Sequence, residues 1–393
     1  MCHVDCVLAM PKRKAAPPTP ALTEVLLVGS GDYGQTEVDD APGYRCVPVR
    51  RRQRGVIALA RVDGSLRQIA FTPLPFHPGW LSYNVANGLI YASGDDDRLY
   101  ALALRDAHTV EVVGSADSLG GSAFIELSRD GKWALVANYG SGVLGVLPLQ
   151  KDGPIGTATD SKQPWPLDGL DPALDDRQES CHPHQVMLDP SGKWALACDL
   201  GADRVWVYAF DGSRGALFGA VTSAHHLVLP AGSGPRHLAF HPSGKLVFVL
   251  CELDGEVVTC GWDAQAGELT VRSSVGMMAD GVACSRAHHS GCSHIAVAPS
   301  GGVVYAAERT SNTIVVFACD KSTGKLRPKQ RVSTGGVCPR HFVLDATSLI
   351  VVNQDTSTIV ELRVKPDGSL DETPATVCEV TGVCPWVICR PGA

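Results

Sequence analysis

The sequence predicts an all-β fold, a seven-bladed β-propeller with four antiparallel strands in each blade. An internal repeat, a turn-rich composition and strand-forming residues within each copy predict this fold. Four copies of the repeat align closely, and they span 128–149, 189–210, 241–262 and 298–319. Each copy has a Gly-containing turn and two apolar runs rich in Val, Tyr, Phe and Trp, separated by a short polar interruption. This pattern is typical of a β-hairpin.

Weaker copies bring the number of units to seven. They lie at 83–104 and 345–364, and an interrupted first copy combines 23–31 with 54–62. A four-stranded propeller blade needs about 40–50 residues, and longer spacings leave room for loops. The repeat glycines, which are 43, 61, 52 and 57 residues apart, are Gly88, Gly131, Gly192, Gly244 and Gly301.

Short segments on either side of each hairpin supply the other two strands of a blade. For example, 234–242 leads into the hairpin at 241–262, and 267–276 follows it. The first copy lacks a preceding strand, whereas 384–392 near the C-terminus has that character. We therefore expect this C-terminal strand to pair with the first blade, because ring closure removes the open edges of the sheets.

The composition fits many short strands in one large domain. A chain of 393 residues exceeds what one core usually supports, but each repeat of a propeller brings its own core. Gly and Pro number 41 and 26, and charged residues make up only 19%. We expect one propeller domain over 22–393. A disordered tail is expected over 1–21, where Pro, Ala and Lys dominate.

Charge and hydropathy argue against several classes of partner. The formal net charge is −7, so a surface for nucleic acid is not expected. No apolar run approaches the roughly 18 residues of a membrane span, and the N-terminal basic cluster follows its apolar patch, the wrong order for a secretory signal. Several of the 14 cysteines lie in apolar, strand-like runs. We expect free thiols in a reducing, cytoplasmic compartment.

Polar residues concentrate at one mouth of the predicted channel. The first strand of a blade starts, and the antiparallel second strand ends, at the same face of the ring. At these points the sequence places imidazole, guanidinium and carboxylate groups from at least four blades, a combination typical of active sites. The residues expected to bind substrate there are His182, His237, Asn138, His294, Arg340 and Gln354.

Strand ends are polar in many β-proteins, so these residues could simply be solvated or structural. His184, Arg236, Glu252 and Arg309 nevertheless differ from what most other units carry at the equivalent position. A structural residue of a repeat should recur, whereas a functional one should be unique. We therefore interpret the four as a functional cluster.

At these residues the chain resembles the lactonase family of seven-bladed propellers, that of the bacterial propeller-type 6-phosphogluconolactonase and the fungal carboxy-muconate lactonizing enzyme. The similar stretches are 176–210, 234–253 and 293–317. In that family a histidine, two arginines and a glutamate form the proposed active site. The resemblance implies the catalytic residues His184 in HPHQ, Arg236 in GPRH, Glu252 in CEL and Arg309 in ERT.

The resemblance implies hydrolysis of a small anionic sugar lactone, above all 6-phospho-D-glucono-1,5-lactone, without a cofactor. Lactone hydrolysis requires a base for the attacking water and positive charge for the oxyanion. We expect Glu252 to act as the base or to orient the water, His184 to protonate the ring oxygen, and the arginines to hold anions.

Two other functions stay open at this stage. The first is a lactone-forming cycloisomerase or a lactonase acting on another carboxylic acid. The second is a non-enzymatic scaffold that binds protein partners, since a fold does not determine a function. No G-x-S-x-G motif is present, which argues against a covalent serine mechanism. We expect a monomer or a weak dimer.

Two stretches depart from the family pattern. Residues 32–54 are acidic and then basic, and 277–292 contain Cys284, His288, His289 and Cys292. The spacing in the second stretch does not match the paired arrangements of zinc sites. We therefore expect a surface insertion and no metal.

Overall fold

A computed structural model describes residues 25–31, 53–163, 177–219, 226–279, 282, 284, 291–345, 347–380 and 385–390. Within these ranges every regular element is a β-strand, and 29 strands form seven antiparallel sheets. The predicted seven-bladed propeller is therefore confirmed. The tail predicted over 1–21 lies outside the described residues, as does most of the stretch 32–54.

The first three blades follow one another along the chain. Blade 1 contains β1 (Leu26–Ser30), β2 (Gly55–Val62) and β3 (Ser65–Pro73). Blade 2 contains β4 (Trp80–Asn84), β5 (Leu89–Ser93), β6 (Arg98–Leu104) and β7 (Val110–Asp117). Blade 3 contains β8 (Ser122–Leu127), β9 (Trp133–Asn138), β10 (Val143–Pro148) and β11 (Asp160–Lys162).

The remaining blades repeat this order. Blade 4 contains β12 (Pro183–Leu188), β13 (Trp194–Asp199) and β14 (Arg204–Asp211), and both β15 (Ala216–Phe218) and β16 (His226–Val228) pair with β14. Blade 5 contains β17 (Pro235–Phe240), β18 (Leu246–Cys251), β19 (Glu256–Asp263) and β20 (Glu268–Gly276). Blade 6 contains β21 (Cys292–Val297), β22 (Val303–Glu308), β23 (Thr313–Cys319) and β24 (Leu326–Ser333). Blade 7 contains β25 (Pro339–Leu344), β26 (Ser348–Asn353), β27 (Thr358–Arg363) and β28 (Thr376–Glu379).

The C-terminal strand closes the ring as predicted. Strand β29 (Pro385–Cys389) lies antiparallel to β1, with Val28 opposite Ile388, and supplies the innermost strand of blade 1. Chain ends that are far apart in sequence therefore share one sheet. Closure covers the backbone groups that an open edge strand would leave unpaired.

The core lies between neighbouring blades. Side chains alternate across each strand, so every sheet presents one apolar face to the blade before it and another to the blade after it. One such cluster joins Leu135 and Val146 of blade 3 to Val186 and Tyr208 of blade 4. All six residues of β18 are buried. None of the described segments is a helix long and apolar enough to cross a membrane.

A β-bulge opens the innermost strand in each of blades 3 to 7. Two residues there face one residue of the second strand, which bends the strand and redirects the side chain of the extra residue. Three of the extra residues are predicted site residues. The five are Ala123, His184, Arg236, Ser293 and Arg340.

Candidate active site

Glu252 lies at the centre of a buried group of arginines. It follows β18, and its backbone N–H donates to the carbonyl of Gly234 at 2.7 Å. Its Oε1 accepts hydrogen bonds from Nη1 of Arg177 and Nη2 of Arg309, each at 2.7 Å. Its Oε2 lies 2.9 Å from Nε of Arg236. We call Glu252 and these three arginines the arginine cluster.

The contact between Glu252 and Arg236 is an ion pair without hydrogen-bond alignment. As a result, Oε2 of Glu252 and Nε of Arg236 make no hydrogen bond within the described residues. Glu252 is only 2% exposed, and a buried polar atom without a hydrogen bond is costly. The cluster therefore has the capacity to bind a further polar group, such as a water molecule or a substrate oxygen.

The start of blade 6 holds two of the arginines. Nη1 of Arg236 donates to the carbonyl of Ser293. Nε of Arg309 donates to the carbonyl of Gly291 at 3.2 Å, and Nη2 approaches the carbonyl of Cys292 at 3.5 Å. Three consecutive carbonyls thus position two guanidinium groups from different blades.

Gly291 also brings this segment close to Glu252. Its φ of 81° is in the left-handed region, and a Cβ atom at this position would collide with the backbone oxygen of Glu252. Only glycine combines this conformation with such a close approach.

Arg177 is a site residue that the sequence analysis missed. The next residue, Gln178, donates through Nε2 to the carbonyl of Leu200 and to Oδ1 of Asp203, both at 2.8 Å. Oδ1 of Asp203 also accepts the N–H of Gly234 at 2.7 Å, which ties this segment to the start of blade 5. Arg177 precedes β12 and so falls outside the hairpin pattern of the repeat. The only feature of the sequence that could have indicated Arg177 was its position within 176–210, a stretch that resembles the lactonase family.

The charges within the cluster are unbalanced. Burial alone would raise the pKa of Glu252, but Arg309, Arg177 and Arg236 together hold that pKa well below its ordinary value. Burial opposes the charge of Arg177 and Arg309, yet Glu252 raises the pKa of both. Burial, with the positive charges of Arg309 and Arg340, lowers the pKa of Arg236. Positive charge exceeds negative charge in the cluster.

His184 is a buried, neutral imidazole beside the cluster. Burial, followed by the charge of Arg236, lowers its pKa well below the ordinary value. Its Nδ1 makes no hydrogen bond within the described residues. Its ring meets those of Tyr139 and His237 edge-on, with centroid distances of 5.6 and 5.3 Å. A neutral imidazole of this kind can accept or donate one proton.

Three histidines form a column on the innermost strands of blades 5, 6 and 7. Nε2 of His237 lies 3.3 Å from Nη1 of Arg236, and its Nδ1 lies 2.8 Å from Nδ1 of His294. The rings of His294 and His341 are 4.1 Å apart. Burial is the main cause that lowers the pKa of all three histidines, to about 3 for His341. The column is therefore uncharged at neutral pH.

His182 and Asn138 are engaged in contacts within and between blades 3 and 4. The N–H of His182 donates to Oδ1 of Asp199 at 2.7 Å, and its ring stacks on Tyr139 at a centroid distance of 4.4 Å. Oδ1 of Asn138 accepts a hydrogen bond from Ser122 at 2.8 Å. Their predicted role in substrate binding stays a prediction.

Arg340 and Gln354 form a pair in blade 7. Nη1 of Arg340 is 3.4 Å from Oε1 of Gln354. The charge of Arg340 contributes to the lowered pKa of His184 and of Arg236, which places it within electrostatic range of the cluster. The structure thus brings together the four predicted catalytic residues and sets Arg340 near them.

The residues that suggested zinc are only partly described. His288 and His289 lie outside the described residues. Among the described ones, no group of three or more His, Cys, Asp or Glu side chains is arranged to hold a metal ion.

Comparison with known proteins places the chain among propeller enzymes. Residues 51–385 match the model of the family described as Lactonase, 7-bladed beta-propeller. The 6-phosphogluconolactonase of Bacillus subtilis (strain 168) is 34% identical over 267 residues, which cover 66% of this chain and 71% of that protein. The 6-phosphogluconolactonase of Pectobacterium atrosepticum is 27% identical over 260 residues, covering 66% and 71%.

A solved structure supports the same architecture. The periplasmic gluconolactonase of Pseudomonas aeruginosa matches with a TM-score of 0.75 at 24% identity. The match covers 92% of this chain and 97% of that one. At this level of identity the similarity supports the fold alone.

Proposed function

Since the chain belongs to the lactonase family of seven-bladed β-propellers, we propose that it hydrolyses 6-phospho-D-glucono-1,5-lactone to 6-phosphogluconate. The family predicted from the sequence is confirmed. Relatives that carry the name 6-phosphogluconolactonase support the choice of substrate. The observation that carries the proposal is the arginine cluster beside neutral His184.

The charge of the cluster favours a phosphorylated substrate. Three guanidinium groups surround one carboxylate, so two positive charges remain uncompensated. Uncompensated buried charges cost several kcal/mol each. A phosphate monoester carries a charge of about −1.5 to −2 at neutral pH, which matches this excess. Guanidinium groups also bind phosphate through paired hydrogen bonds.

The same residues can perform the hydrolysis. Water attacks the lactone carbonyl, and His184, which is neutral, accepts the proton that the water loses. The carbonyl oxygen becomes an oxyanion, which Arg236 or Arg309 stabilises, while the remaining guanidinium groups of the cluster hold the phosphate. As the ring C–O bond breaks, His184 returns the proton to the ring oxygen. Glu252, whose pKa the three arginines hold well below its ordinary value, stays ionised and is assigned to orient water and the arginines.

The scaffold alternative gains little support from the cluster. Replacing buried ion pairs by apolar residues is often neutral or stabilising. A protein that only binds partners would therefore have no stability reason to keep three arginines buried in this way. A cytoplasmic location is also part of the proposal, because the ten free cysteines among the described residues suit a reducing compartment.

The test measures acid release from freshly prepared 6-phospho-D-glucono-1,5-lactone above its spontaneous hydrolysis. The wild type should exceed the spontaneous rate, and His184→Gln should lower kcat/KM by about 10²–10⁴-fold. His226→Gln in β16 of the same blade is the matched control, and it should retain the wild-type rate. Unphosphorylated glucono-1,5-lactone should react at least about 10-fold less efficiently, the effect of one good charged contact.

Different outcomes would contradict different parts of this proposal. An equal or higher kcat/KM for the unphosphorylated lactone would exclude the phosphate preference but leave a lactonase. Absence of any excess rate on either lactone would exclude both.

A further inference from the structure

Two thiols meet directly beside the arginine cluster. Cys284 packs against the apolar cluster that contains Cys292, and the two thiols interact. They also share one acceptor, since the carbonyl of Glu252 receives Sγ of Cys284 at 3.5 Å and the N–H of Cys292 at 3.3 Å. Of the ten free cysteines among the described residues, Cys284 alone is not buried. This pair thus combines a partly exposed cysteine with a buried one.

We propose that Cys284 and Cys292 form an oxidation site at which a peroxide converts the two thiols into a disulfide and lowers the activity of the neighbouring site. The thiol of Cys284, the more exposed of the two residues, attacks the peroxide O–O bond, giving a sulfenic acid and one molecule of water. The thiol of Cys292 then attacks this sulfur and releases a second water as the S–S bond forms. The peroxide gains the two electrons that the thiols lose.

The backbone around Cys292 connects this bond to catalysis. Cys292 lies between Gly291 and Ser293, whose carbonyls position Arg309 and Arg236. Its own carbonyl also approaches Arg309, and its N–H binds the carbonyl of Glu252. Any shift of Cys292 therefore acts on three members of the arginine cluster at once.

Disulfide formation requires such a shift. The bonded sulfur atoms lie about 2.05 Å apart, closer than any non-bonded contact between them. The tight approach of Gly291 to Glu252 leaves little space to absorb the movement locally. Displacement of catalytic groups by about 1 Å can lower a rate by about 100-fold. We expect the oxidised protein to show a kcat/KM about 10- to 100-fold below that of the reduced protein.

The experiment treats the full-length protein with hydrogen peroxide and follows two readouts. The first is peptide mapping, because trypsin cleaves after Arg286, between the two cysteines. Oxidised protein should yield the peptides 273–286 and 287–309 joined together, and dithiothreitol should separate them. The second is kcat/KM on the lactone before and after oxidation, which rests on the proposed function, whereas the mapping does not.

Variants separate this disulfide from general oxidation. Cys284→Ser should lose both the joined peptides and the sensitivity to peroxide. Cys319→Ser, which changes a buried cysteine in β23, should behave as the wild type. Each protein is compared with its own reduced form, so a change in the basal rate of a variant does not affect the result.

Three results would overturn the proposal. One is the absence of joined peptides after oxidation. Another is an oxidised wild type that carries the disulfide and keeps its full activity. The third is an equal loss of activity in Cys284→Ser, since the damage would then lie elsewhere. If the reduced wild type has no lactonase activity, the proposed function fails, and the mapping still decides whether the disulfide forms.

Discussion

Asp199 and Glu252 are two buried carboxylates in neighbouring blades, and the protein holds them in opposite ways. Asp199 ends β13 and accepts hydrogen bonds from the N–H groups of His182 and Ala202 and from Nε1 of Trp206, at 2.7, 3.1 and 2.9 Å. All three donors are uncharged. Glu252 follows β18 and instead faces three guanidinium groups.

The pKa values of the two carboxylates shift in opposite directions because their hydrogen-bond and ion-pair donors differ, although both groups are buried. Burial raises the pKa of Asp199, and its neutral donors offset only part of that rise. The arginines reverse the same effect for Glu252 and hold its pKa well below the ordinary value. Asp199 therefore serves to fix the backbone between strands, whereas Glu252 organises a charged site.

A comparison of equivalent positions in the blades supports these different roles of Asp199 and Glu252. The residue that ends the second strand is polar in blades 3, 4, 6 and 7, where it is Asn138, Asp199, Glu308 and Asn353. Glu308, for example, accepts N–H groups of Thr310 and Ser311 in the following turn. Glu252 lies one position further along, where blade 4 carries Leu200. Asp199 and Glu308, at the recurring position, thus fix the local backbone, whereas Glu252, at the next position, faces the arginine cluster.

The largest difference between the two carboxylates is expected in the lactonase activity of variants in which each one is replaced by its uncharged amide. Glu252→Gln should lower kcat/KM on the lactone by about 10³-fold, because the arginines lose the charge that positions them. Asp199→Asn should retain activity within about 10-fold, since no charged group depends on it. Steady-state kinetics on both variants gives the answer, with circular dichroism to verify that each is folded. Equal losses in the two variants would remove the distinction.

Arg177 provides a second test, because it extends the Glu252 site beyond the residues that the sequence indicated. Arg177→Gln should reduce kcat/KM for the phosphorylated lactone by about 10- to 100-fold, the effect of losing one charged hydrogen bond to Glu252 or to phosphate. The matched control is Arg204→Gln, an arginine of blade 4 that donates to the carbonyl of Ala202 instead. Similar kinetics for the two variants would contradict a role for Arg177.

We expect Asp199 to contribute more to the stability of the protein than to its activity. Asp199→Asn replaces an acceptor oxygen by an NH₂ group that faces N–H donors, which leaves at least one buried donor unsatisfied. The free energy of unfolding should fall by about 1–3 kcal/mol. Urea denaturation measures this change, and the exposed Asp106→Asn is the control. An unchanged midpoint would show that the three hydrogen bonds contribute little.

The buried histidines of the column should make the stability of the protein depend on pH. Burial lowers the pKa of His341 to about 3, from an ordinary value of 6.5. The unfolded chain therefore binds a proton as the pH falls below 6.5, whereas the native protein does not until about 3. Stability is complete above pH 6.5 and decreases through this window by about 1.4 kcal/mol per pH unit for each such histidine.

His341→Gln should make the free energy of unfolding less dependent on pH by about 1.4 kcal/mol per pH unit between roughly pH 6 and 4. Urea denaturation at several pH values measures the slope. The exposed His108→Gln should keep the wild-type slope. A slope that is equally steep in His341→Gln would show that this imidazole titrates normally in the native protein.

The sequence by itself determined the number of blades and the closing strand, and it indicated four residues that the structure brings together at the candidate site. These features are encoded locally, because strand alternation, turn glycines and the recurrence of a repeat are visible without knowledge of contacts. Comparison between repeats then isolated His184, Arg236, Glu252 and Arg309 as unusual residues at matching positions.

Only the tertiary structure decided which charges meet. Arg177 binds Glu252 from 75 residues away and belongs to a loop with no periodic pattern, so no local signal links the two. In the sequence, Asp199 and Glu252 looked alike as acids at strand ends. Their pKa values diverge because donors from other segments surround each one, and the contact between Cys284 and Cys292 likewise depends on packing against Glu252. Electrostatic environment is a property of neighbours in space, which a local pattern does not contain.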